Sequence, residues 1–65
     1  MSDQDEVLFE FIRQGNAVRV SALHVATNTE ITIMGPANAP QLALQNTALQ
    51  KLRYVLAKQK SGDQR

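Results

Sequence analysis

Sixty-five residues with no cysteine, one histidine and a formal net charge of +1 allow one small domain, and they exclude a disulfide framework or a thiolate metal site. A chain this short buries only ~60% of the surface its unfolded form exposes, so association with a copy of itself or with a partner is the remaining common remedy. The charge total is too small to argue for polyanion binding, but its placement is uneven: Asp3, Asp5 and Glu6 come first, Lys51, Arg53, Lys58, Lys60 and Arg65 come last, and residues 31 to 50 carry none.

Met1 to Glu6 and Ser61 to Arg65 are polar and read as frayed ends around an ordered core of about residues 7 to 60. Half of Val7 to Gln14 is β-branched or aromatic, with Phe9, Phe11 and Arg13 on one face and Leu8, Glu10 and Ile12 on the other. The Gly15-Asn16 pair suits a two-residue hairpin loop of type I′ or II′, because it supplies the positive φ such turns require. Indexing about that loop sets Phe11 opposite Val20 and Phe9 opposite Ala22 in a second strand, about Ala17 to Val25.

A loop at Ala26-Thr27-Asn28-Thr29 leads to a third strand from Glu30 to Met34, with Ile33 opposite Ala22 and Ile31 opposite His24. Gly35-Pro36 is expected to end the sheet. A helix then follows, with Asn38 accepting from first-turn amides, Gln41 at capping-box spacing and Pro40 tolerated before the amides gain partners. Leu42, Leu44, Ala48, Leu49, Leu52, Val55 and Leu56 fall within an arc of roughly 160° that is expected to cover the sheet. The helix is expected to end at about Gln59 or Lys60. The fold class is α+β: a three-stranded antiparallel meander with one C-terminal helix packed on one face.

The parts of a catalyst are missing. His24 has no companion imidazole or thiolate and reads as a sheet-end histidine partly covered by the helix. The serines Ser2, Ser21 and Ser61 have no base predicted beside them, the acidic cluster reads as a solvated tail, and the three glycines form no phosphate-cradling loop. The chain is therefore read as no enzyme, with no cofactor and no metal. No apolar run approaches the ~20 residues that span a bilayer, and the N-terminus is acidic where a signal peptide is basic. A cytoplasmic protein without membrane contact is expected.

What remains is binding. The back of the sheet collects Leu8, Ile12, Leu23 and Met34 among polar neighbours, and Tyr54 stands on the outer face of the helix. Since one helix cannot cover both faces of a sheet, these five residues are the candidate interaction surface for a second copy or another protein. The alternative is weak nucleic-acid binding through Arg19, Lys51, Arg53, Lys58 and Lys60, in an architecture that resembles sheet-based DNA readers such as plant AP2-type domains. Arg19 is the only cation on the exposed sheet face, however, and no aromatic residue there offers a stacking platform. A small-molecule site in a groove between two copies is a third possibility.

The run from Phe9 to Ala22 (FEFIRQGNAVRVSA), the step Gly35-Pro36-Ala37 and the helix segment from Leu49 to Val55 (LQKLRYV) resemble a group of short, uncharacterised alphaproteobacterial proteins over about residues 8 to 58. Members often carry Thr-Gly where this chain has Thr27-Asn28, and asparagine can adopt the same conformation. The resemblance implies no activity, cofactor or catalytic residue to carry over.

Overall fold

The computed structural model describes residues 6–62, with side chains described through Gln59. The two ends expected to fray lie largely outside those residues. The elements are β1 (Val7–Gln14), β2 (Ala17–His24), β3 (Thr29–Pro36) and α1 (Gln41–Gly62). The strands form one antiparallel sheet in the order β1-β2-β3, and α1 closes one face of it, as the alternation and the helical arc require.

The first turn follows the sequence. Gly15 has φ 64 and Asn16 stays in the ordinary region, which fits a type II′ turn with glycine at its first central position. The strands it joins pair Phe11 with Val20 and Phe9 with Ala22. Arg13 donates through Nε to the carbonyl of Gly15 at 3.1 Å.

At the second turn the structure corrects the expected register. Asn28 takes up the left-handed conformation at φ 56 and donates its amide to the Val25 carbonyl at 3.3 Å. The loop is therefore Val25 to Asn28, one residue earlier than read from sequence. Ile31 then stands opposite Ala22 and Ile33 opposite Val20, while Thr29, not Ile31, faces His24. The displacement is two residues along β3, so every side chain keeps its face. It centres Ile31, only 7% exposed, in the core.

The sheet also runs on through Gly35 and Pro36 where it was expected to stop. Pro36 lies on the outer edge of β3, where its missing N–H leaves no ladder bond unmade, and Ala37 continues the pairing by donating to the Asn16 carbonyl at 2.8 Å. The helix start is corrected as well. A turn closed by Ala39 N–H to Pro36 O keeps Asn38 outside the helix, and the first intrahelical bond runs from Leu44 N–H to Pro40 O. Pro40 is thus the boundary residue. At its far end α1 extends to Gly62, past the expected stop at Gln59 or Lys60.

Val20, Ala22, Ile31, Leu44, Ala48 and Leu52 make the core, with Phe9, Phe11, Val18, Ile33, Val55 and Leu56 packed partly buried against it. Leu42 does not join them and is 65% exposed. At 100° per residue it lies at the margin of the helical arc, about 120° from the line of Ala48 that meets the sheet. The inner face of β3 carries one residue without a side chain, Gly35, and the helix uses that space: a Cβ there would collide with Cδ2 of the buried Leu44.

Gly35→Ala is expected to cost about 1–3 kcal/mol in urea melts, the range for overpacking a filled core, less the ~0.4–1 kcal/mol that alanine returns by restricting the unfolded chain. In a Leu44→Ala background the same change should be neutral or stabilising. A cost that persists there would remove the close approach as its cause.

Candidate functional site

Of the sequence-predicted interaction residues, Leu8, Ile12, Leu23 and Met34 share the back of the sheet and Tyr54 stands apart on α1. On the back of the sheet the register forms three rows: Leu8, Leu23 and Glu30; Glu10, Ser21 and Thr32; Ile12, Arg19 and Met34. Leu8 and Leu23 meet directly. Ile12 and Met34 stand on either side of Arg19, and the polar middle row, in which Ser21 Oγ and Thr32 Oγ1 are 3.4 Å apart, separates the two apolar ends. Tyr54, 64% exposed, is on the outer face of α1 with the Lys58 ammonium 5.6 Å from its ring centre. That is an ordinary (i, i+4) contact within one helix.

The cations considered for nucleic acid are dispersed too. Arg19 is on the sheet back, Lys51 reaches over β3 to donate to the Thr32 carbonyl at 3.4 Å, and Arg53 stands on the opposite flank of the helix above β1. Lys58 lies over Tyr54, and the Lys60 side chain is outside the described residues. A backbone-tracking surface needs its cations along one groove, and these face three directions.

The structure brings together a different set. Because α1 lies over β2 and β3, the inner face of β1 is only half covered. A groove of about 610 Å³ runs beside the helix there, lined by Val7, Phe9, His24, Leu49, Leu52, Arg53 and Leu56. Leu42, Leu49 and Leu56 recur at heptad spacing, which drifts only ~20° per repeat on a straight helix, so they form an apolar stripe along this flank. The alternation of β1 put Phe9 on the inner face from sequence. The groove was not legible, since it depends on which two strands the helix straddles.

One end of the groove is fixed by a hydrogen-bond chain. Thr29 Oγ1 donates to Gln59 Oε1 at 3.3 Å, so its proton is spent and it accepts from Thr27 Oγ1 at 2.8 Å. Thr27 in turn must accept from His24 Nδ1, also at 2.8 Å. The chain orients the imidazole and ties the last turns of α1 to the start of β3. Thr29 is buried, and among the described residues every buried side-chain polar atom has a partner. The sequence signal for this chain was Asn28, whose left-handed preference sets where β3 begins and hence places Thr29, not Ile31, beside His24.

Also among the described residues, no three of His, Cys, Asp and Glu come together as metal ligands, and no helix is long and apolar enough to cross a membrane. The family comparison covers most of the fold: the profile of a domain of unknown function, DUF6898, matches residues 4–59. The chain belongs to that family. The DUF6898 match takes in all three strands and α1 as far as Gln59, so the groove and the chain from His24 to Gln59 both lie inside the family's domain. No curated protein and no solved structure matches the chain.

Thr29→Val keeps the shape of the side chain while leaving Thr27 and Gln59 without their shared partner. It is expected to lower stability by about 1–2 kcal/mol in thermal or urea melts and to shift the NMR signals of the His24 ring. An unchanged His24 spectrum would show that the imidazole is not held through this chain.

Proposed function

We propose that this chain is a non-catalytic protein-interaction module whose contact surface is the β1 flank rather than the back of the sheet. The observation that carries the reading is the open groove between β1 and α1, with phenylalanines half covered and a leucine stripe alongside. Contiguous apolar surface of this kind marks an interface more often than scattered aliphatics do. On the sheet back, by contrast, a polar row divides the apolar residues.

The absence of catalytic action belongs to the same reading. The single imidazole commits Nδ1 to Thr27, and the two strand carboxylates stand away from it: Glu10 is in the middle row of the sheet back and Glu30 is on β3 with its side chain turned outward. Among the described residues the hydroxyl beside His24 is that of Thr27, which gives its proton to Thr29 and accepts from the imidazole, so His24 is not placed to activate it as a nucleophile. The resemblance of residues 8 to 58 to short alphaproteobacterial proteins supports a bacterial cytoplasm as the setting.

Site-specific crosslinking tests the surface. A photoreactive benzophenone amino acid at Arg53, on the rim of the groove, is expected to give covalent adducts in living cells, whereas the same group at Gln50, on the outer face of α1, should give few or none. Equal yields at the two positions, or none at Arg53, would sink the reading.

A further inference from the structure

We propose that the partner seated on this flank is a second copy of the chain, joined by antiparallel pairing of β1 with its counterpart. The proposal rests on the interaction reading above and names the partner. Its ground is a difference between the two edges of the sheet. Val25 N–H donates to Glu6 O at 3.1 Å, in line with the register that pairs Leu8 with Leu23 and Gln14 with Ala17. Bonding alternates along an antiparallel ladder, so the even residues of β1 bond to β2, and Val7, Phe9, Phe11 and Arg13 direct their N–H and C=O groups to the open side.

The bond from Ala37 N–H to Asn16 O fixes the same alternation across β2 and β3, which leaves Glu30, Thr32, Met34 and Pro36 facing outward. That edge is closed to a further strand. Pro36 has no N–H to give, and the Thr32 carbonyl is occupied by the Lys51 ammonium. Proline and lysine are the usual means of blunting an edge. All eight residues of β1 lack both.

A second copy supplies what the flank lacks. Neighbouring strands lie ~4.8 Å apart, so two helices each straddling β2 and β3 would stand roughly 19 Å apart across the seam, beyond the 8–10 Å of direct helix packing. Phe9 and Phe11 of both copies occupy that gap, with Leu49 and Leu56 as its walls. A lone strand from another protein would satisfy the amides but bring no such filling. Among symmetric registers, the one centred on Glu10 sets that carboxylate against itself, which is unfavourable. The one centred on Phe11 avoids this and pairs Phe9 with Arg13 of the second copy, over a longer stretch of β1 than registers centred on Phe9 or Ile12.

The test combines sedimentation with residue-resolved amide exchange on the full chain. Dimers should form as concentration rises, and exchange at Phe9, Phe11 and Arg13 should slow about tenfold or more while Glu30, Thr32 and Met34 stay unchanged. Arg13→Pro removes one outward N–H without touching a bond to β2. It should weaken the dimer about tenfold with an unaltered circular dichroism spectrum, whereas Thr32→Pro on the closed edge should not. A strict monomer at every concentration, or a dimer whose β1 amides exchange as in the monomer, overturns the proposal. If Arg53 crosslinks to another protein in that event, the β1 flank survives as an interface and only the identity of the partner falls. If neither dimer nor crosslink forms, both readings fall.

Discussion

An α-helix is about 10 Å across and, when its axis lies between two strands ~4.8 Å apart, it sits to one side of a three-stranded sheet. The third strand is then the least covered. Here α1 sits over β2 and β3, because its buried line of Leu44, Ala48 and Leu52 meets Val20, Ala22 and Ile31. The half-covered aromatic residues of β1, the groove beside them and the stripe of Leu42, Leu49 and Leu56 follow from that choice. A larger domain would place a second helix there.

The two sides of the sheet consequently differ in kind. The back is divided by a polar row into two apolar ends. The β1 flank is continuous with the core, so anything docking there extends the existing apolar interior instead of starting a new one. The polar chain from His24 through Thr27 and Thr29 to Gln59 stands at one end of this flank, where its buried hydroxyl is satisfied without breaking the apolar layer.

Much of this was legible in the residues. The period-two alternation of β1, the Gly15-Asn16 turn and the leucines of α1 settle element order and inner face, since each is a local signal whose parity survives small errors. The β2–β3 register was less readable, because a loop containing Asn28 can begin at Val25 or at Ala26 and only the placement of the left-handed residue decides. The helix boundary at Pro40 depended on a backbone turn that makes Asn38 a bystander. Pro36 looked like a terminator and proved to be an edge residue. Strand periodicity is enough to turn Leu8, Ile12, Leu23 and Met34 to the back of the sheet, and helical periodicity to turn Tyr54 outward. The polar row that separates Leu8 and Leu23 from Ile12 and Met34 depends on lateral neighbours across strands, which the β2–β3 register decides.

Gly35 governs more than local fit. The notch it leaves in β3 receives Leu44, while every other inward position of that strand, Thr29, Ile31 and Ile33, presents a bulkier group. Moving α1 along the sheet by one turn, about 5.4 Å, would drive Leu44 onto an occupied site. The notch therefore acts as a detent that seats Leu44, and with it the first turns of α1, at one place along β3.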